Sequence, residues 1–167
     1  IGIGIGIGIG IGIGIGIGVE MLRAVKDAAE IAEIREAVHF AARGFDYIKA
    51  ILTPEITERQ LAHELEHAMR RFGADGVAFP PIIAVGDRGA LPHYRPSDLQ
   101  VKSGSALLVD WGAQTRNRYK SDLTRTLVTG KLTKKFEKIY GIVLEAQEQP
   151  GNAATDRGVV TTHLRSD

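Results

Sequence analysis

An α+β fold, with helices packed on an antiparallel sheet, is predicted by three features of this sequence. Apolar residues recur at helical spacing between Asp27 and Phe72. The period then changes to that of short strands between Val77 and Thr129. A last helical stretch begins at Thr133, and helices followed by strands and then a helix are the order of an α+β domain.

The first helix is expected from Asp27, a residue suited to N-capping, because Ile31, Ile34, Val38, Ala41 and Ala42 fall on one helical face. It can run on through Phe45, Ile48 and Ile51 despite Gly44, and it must end before Pro54. A second helix is better signposted. Thr57 and Gln60 have capping-box spacing, and Ile56 and Leu61 stand where a hydrophobic staple would place them. Its expected buried stripe is Leu61, Leu65, Ala68, Met69 and Phe72, with Gly73 as the stop. Residues 77–85 are apolar but interrupted by Pro80 and Pro81, which suits an edge strand. A loop rich in Gly and Pro follows and contains His93. Residues 106–111 and 119–129 then read as two strands joined by a short polar turn. The last helix should start at Thr133, bury Phe136, Ile139, Tyr140, Val143 and Leu144, and stop at Pro150 and Gly151.

Composition narrows the function classes. With 21 Lys and Arg against 20 Asp and Glu, interspersed along the chain, there is no electrostatic footprint for nucleic acid or an anionic membrane. Cysteine is absent, which excludes disulfides, thiolate metal sites and cysteine nucleophiles and agrees with a cytoplasmic location. Residues 1–18 alternate Ile and Gly. Their length meets the crude rule for a membrane span, but half of them are Gly, at a cost of about 1 kcal/mol each in a helix, and basic or aromatic flanks are lacking. A strict two-residue repeat fits a repetitive stretch of DNA better than a functional element. Residues 150–167 have no countable period.

The chemistry concentrates in the predicted hairpin. Asp110 lies in an apolar strand beside Trp111, and Asp122 precedes Leu123 in the next strand. A hairpin folded about Arg116 would set the two carboxylates directly opposite one another, with Cβ atoms about 4.5–5.5 Å apart. Two acids so placed repel, which raises one pKa or calls for a cation between them. Ions roughly 3.5–4 Å apart, bridged by a carboxylate, are the arrangement of two-metal hydrolases. A solvated hairpin with two unrelated acids is the plainer alternative. Asp110 weighs against it, because a carboxylate among Leu107, Leu108, Val109 and Trp111 is seldom left without a partner.

A second motif competes. His63-Glu64-Leu65-Glu66-His67 matches the H-E-x-x-H pattern of zinc proteases. Each histidine, however, lies about 200° around the helix from Leu61 or Leu65, on the outer face, whereas a catalytic zinc needs a cleft. Glu66, Arg70 and Arg71 also suit a solvated surface.

Taken together, Leu-Val-Asp-Trp-Gly-Ala at 108–113, Ser-Asp-Leu-Thr-Arg-Thr at 121–126 and Ala-Leu-Pro-His-Tyr at 90–94 resemble the Xaa-Pro aminopeptidases and prolidases of the pita-bread fold, relatives of methionine aminopeptidase. Val25-Lys26-Asp27 leading into Ile34-Arg35, and the stretch 56–74, resemble the first two helices of that catalytic domain. The likeness runs from about residue 20 to 149, in the family's order. It implies a partial pita-bread domain: residues 19–149 as the first half of a metallopeptidase catalytic domain, and 150–167 as an unrelated tail. It also implies two divalent ions, manganese, cobalt or zinc, with Asp110 a ligand to one and Asp122 bridging both. His93 would contact the substrate and stabilise the tetrahedral intermediate, and the substrate would be a peptide with proline in second position. A lone His in such a loop is otherwise structural or merely exposed.

Three departures accompany the resemblance. The family completes its site with a histidine in a Gly-rich segment and two glutamates, which this sequence does not reach, so the chain alone is expected to be inactive. His163 lacks the glycine context to replace them. The interval from Asp110 to Asp122 is one residue longer than usual, which a bulge or an odd-length loop would absorb. The smaller N-terminal domain of the family is replaced by the Ile-Gly run. Rival readings are a pita-bread module that binds peptides or proteins without hydrolysis, a zincin using His63 and His67, and a functionless fragment whose apolar surface drives self-association into homo-oligomers or aggregates.

Overall fold

A computed structural model describes residues 23–148 and 162–163. The Ile-Gly run and all of the tail except Thr162 and His163 lie outside the described residues. The chain divides into two units, Ile1–Glu33 and Ile34–Asp167. In the first, Asp27 Oδ1 accepts the Glu30 N–H at 2.8 Å while the Asp27 N–H donates to the Glu30 carboxylate at 2.9 Å. This reciprocal cap satisfies two donors at the start of helix α1, Ala28–Ala50.

Within the second unit α1 runs through Gly44 and ends ahead of Pro54, as expected. Its buried stripe is Ala37, Phe40, Ala41, Gly44, Phe45 and Ile48. The predicted stripe is therefore displaced: Val38 is exposed, and so is Ala42. Phe40, Phe45 and Ile48 remove more apolar area from water than Val38 and Ala42 could, so the helix turns that face inward. Helix α2, Glu58–Arg71, opens on the predicted capping box, with the Thr57 side chain accepting the Gln60 N–H and Gln60 reaching back to the Thr57 N–H. Leu61, Leu65, Ala68 and Met69 are buried as expected, while Phe72 is half-buried under the Arg43 guanidinium, 4.0 Å from its ring centre. Gly44 lets the two helices meet closely, since a Cβ there would stand 2.6 Å from Met69 Cγ and 3.2 Å from Leu65 Cδ1.

Pro80 and Pro81 split the expected edge strand into β1, Gly76–Val77, and β2, Ile82–Val85. Two 3-10 turns, Gly86–Ala90 and Val101–Ser103, bracket the His93 loop. Strands β3, Ala106–Trp111, β4, Ala113–Gln114, and β5, Leu123–Val128, follow. Helix α3 is Lys134–Glu148, and β6 is Thr162–His163. The larger sheet has the order β2-β3-β5-β6, so β2 holds the edge, and β1 pairs with β4 in a small second sheet. Pairing is antiparallel except between β5 and β6, which run parallel.

Alternation along β3 sends Leu107, Val109 and Trp111 into the core and leaves Leu108 and Asp110 half-buried on the opposite face. The core is the layer between this sheet and the two helices, where Trp111 stacks on Phe45 with ring centres 4.6 Å apart and its indole N–H donates to the Ala41 carbonyl at 2.9 Å. Helix α3 differs from expectation. Its N-cap is Thr133, which accepts the Phe136 N–H at 3.2 Å, but Ile139 and Val143 are about half exposed rather than buried.

Candidate functional site

The hairpin between β3 and β5 sets the site. Asp110 pairs with Thr124 and Trp111 with Leu123, and the same register continues to Gln114 opposite Lys120. Thr115 and Tyr119 close it, with the Thr115 N–H donating to the Tyr119 carbonyl at 2.9 Å. The turn is thus centred on Asn117 rather than Arg116. Its third residue, Arg118, takes up a left-handed φ of 67°, which is how a three-residue hairpin loop absorbs an odd residue. Direct opposition of the two carboxylates is therefore corrected. Asp110 faces Thr124, whose hydroxyl donates to Asp110 Oδ1 at 2.8 Å, and Asp122 lies just ahead of β5, two residues before Thr124. Both acids nevertheless open onto the same cleft, on one face of the sheet.

That face is the one turned away from the helices. A cleft of about 510 Å³ opens there, lined by Phe79, Pro80, Ile82, Pro92, His93, Tyr94, Arg95, Asp110 and Asp122. Both aspartates and His93 thus share one cavity, Asp110 half-buried and the other two exposed. The two carboxylates are hard oxygen donors of the type that suits a divalent cation. Among the described residues no group of three or more His, Cys, Asp or Glu side chains stands close enough to hold an ion, so the pair fits as part of a metal site and not as a whole one. His63 and His67 are exposed on α2, as the helical phase requires, and Glu64 accepts the Tyr47 hydroxyl at 3.2 Å. His163 belongs to β6.

The resemblance seen in the sequence is borne out by direct comparison. The model of metallopeptidase family M24 matches residues 32–165. This chain belongs to that family. The M24 match reaches beyond residue 149. Among curated relatives, the Xaa-Pro dipeptidase of Pyrococcus furiosus is 39% identical over 136 residues, which are 81% of this chain and 39% of that protein. Among solved structures, the X-Pro aminopeptidase of Thermotoga maritima is 40% identical with a TM-score of 0.72, over 78% of this chain and 37% of that one. The Xaa-Pro dipeptidase of Bacillus anthracis is likewise 40% identical with a TM-score of 0.72, over 77% of this chain and 36% of that one. The chain thus spans a little over a third of these relatives and carries the matching part of their pita-bread fold. No helix among the described residues is long and apolar enough to cross a membrane.

The sequence did not disclose what holds the His93 loop of this M24 chain in place. Glu58, the first residue of α2, is completely buried and accepts four hydrogen bonds. The Val85 N–H reaches its Oε1 at 2.8 Å. Its Oε2 accepts the Tyr94 hydroxyl at 2.7 Å, the Ser97 N–H at 2.9 Å and the Ser97 hydroxyl at 2.6 Å. Burial pushes the Tyr94 phenol above its usual range; the Ser97 hydrogen bond opposes this and Glu58 adds to it. An acid in the first turn of a helix is ordinary, so the Thr57-Glu58 pair alone carried no signal of this role.

Proposed function

We propose that residues 19–149 supply the first part of the catalytic domain of a two-metal exopeptidase that hydrolyses the bond before proline at peptide N-termini. The observation that carries this reading is the meeting of Asp110, Asp122 and His93 in one cleft on the outer face of the sheet. In it Asp110 would be a ligand to one divalent ion and Asp122 to both, with further donors coming from outside these residues. Manganese, cobalt or zinc would suit such oxygen and imidazole donors. When bound, divalent ions supply Lewis acidity toward a carbonyl oxygen and lower the pKa of water. His93, at the rim of the cleft, would contact the substrate and offer a donor where negative charge develops on oxygen. Phe79, Pro80, Ile82 and Pro92 give the cleft the apolar wall that a prolyl ring would pack against. The cytoplasm is the proposed compartment, resting on the absence of cysteine.

The apolar lining also favours a second reading, a module that binds proline-containing peptides without cleaving them. Titration of the chain with Ala-Pro in the presence of zinc, which is diamagnetic and leaves the His93 lines observable, followed by NMR, separates the two. The peptidase reading expects His93 signals to shift, the shift to vanish in Asp122→Ala, and no cleavage by this chain alone. Binding that survives Asp122→Ala supports the module, and no binding at all overturns both. Turnover abolished by Asp122→Ala would contradict the need for donors from elsewhere.

A further inference from the structure

We infer that Glu58 is the positioning residue for His93: its buried carboxylate, at the start of α2, ties the loop carrying His93 to the end of β2 and so fixes where the imidazole stands over the cleft. The inference rests on the reading of that cleft as the place where His93 acts. His93 itself is exposed and lies inside a turn in which the Tyr94 N–H donates to the Leu91 carbonyl at 3.2 Å. A surface turn of this kind is mobile unless its ends are held. Both ends are. On one side Leu91 closes the 3-10 turn onto the Arg88 carbonyl at 3.0 Å. On the other, Tyr94 and Ser97 converge on a single carboxylate oxygen.

The other oxygen of Glu58 takes the N–H of Val85, whose strand pairs with β3, the strand of Asp110. One side chain therefore spans the α2 start, the strand next to the first aspartate and the residue that follows His93. Backbone bonds reinforce the seam, since the Glu58 N–H donates to the Leu99 carbonyl and the Arg59 N–H to the Ser97 carbonyl, each at 3.0 Å. Burying a carboxylate is costly unless its lone pairs are filled, and here four donors fill them. An acid that served only to start the helix could have stayed in water, where the helix dipole would still favour it.

The test is Glu58→Gln in the full chain, with neither metal nor peptide, so that it can fail while the cleft still binds, and the reverse. Glutamine keeps the shape but turns a donor toward donors. The readouts are the ring relaxation of His93 and hydrogen exchange of the Tyr94 N–H, which bonds to Leu91 and not to Glu58. Exchange at Tyr94 is expected to rise roughly tenfold or more relative to Leu61 and Leu65 in α2, and the His93 ring to gain mobility. Ile48→Val, a core change remote from the loop in sequence, should leave that ratio alone. If Glu58→Gln does not fold, Ser97→Ala and Tyr94→Phe, which each remove one side-chain donor, should give smaller changes in the same direction. An unchanged His93 ring and Tyr94 exchange in all variants that fold, or a rise shared equally by loop and helix, would overturn the inference and leave Glu58 a support of the fold alone.

Discussion

Gly112→Ala is expected to collapse the strand pair that carries the two aspartates. Gly112 follows β3 directly, and a Cβ there would stand 1.8 Å from the Ser121 carbonyl oxygen and 2.9 Å from Ala78 Cβ. The first of these neighbours is backbone and cannot rotate away. The segment carrying Ser121 is itself held in place, since the Ser121 N–H donates to the Ala113 carbonyl at 3.0 Å and its hydroxyl to the Ala37 carbonyl of α1 at 3.1 Å. Relief therefore requires the hairpin to part where Asp122 begins. Overpacking of well-ordered structure costs about 1–3 kcal/mol and sometimes more, and the upper end applies where backbone must move. Against a total stability of roughly 5–15 kcal/mol that is a large share. Thermal unfolding followed by far-UV circular dichroism should show the midpoint falling by roughly 10 °C or the cooperative transition disappearing. A midpoint within two or three degrees of the parent, to the order of that same scale, would mean that the close approach at Gly112 is not a constraint in solution.

Trp111→Ala should weaken the fold by about 3–5 kcal/mol, the range for deleting a buried aromatic side chain. Trp111 is 1% exposed, stacks on Phe45 and satisfies the Ala41 carbonyl from the middle of α1. Its loss opens a cavity and removes the polar link between the sheet and the helix above it. Asp110 is the next residue back along β3, so the same change loosens the strand that presents the first aspartate. Trp111→Phe, which keeps much of the volume, should cost less. Because Trp111 is the single tryptophan, urea unfolding has to be followed by circular dichroism rather than indole emission. Equal midpoints for Trp111→Ala and Trp111→Phe would show that packing against Phe45 contributes little.

Local chemistry was readable where it is decided locally. The capping box of Thr57 and Gln60, the Leu61-Leu65-Ala68-Met69 stripe and the edge position of β2 follow from spacing and from what proline does to a strand. The face shared by Asp110 and Asp122 was legible too, although the register was misplaced. Register depends on the turn, and the left-handed conformation of Arg118 moved the centre of the hairpin from Arg116 to Asn117. On α1 helical counting found Ala41, Phe45 and Ile48 but also took in Val38 and Ala42, which the burial of Phe40 with Phe45, Ile48 and Trp111 in one core leaves on the outer side. The Glu58 cluster joins residues 27 to 39 positions apart, and the sequence carries no pattern for such a meeting. The apolar residues of α3 have helical spacing, but spacing says nothing about whether a partner surface is present.

The most direct trial is paramagnetic line broadening with manganese on the full chain. Signals from Asp110, Asp122, Thr124 and the His93 ring should broaden together at substoichiometric metal, and Asp110→Asn or Asp122→Asn should abolish the effect. Sharp lines at those positions while His63 and His67 broaden instead would place the cation on the outer face of α2 and contradict the site described.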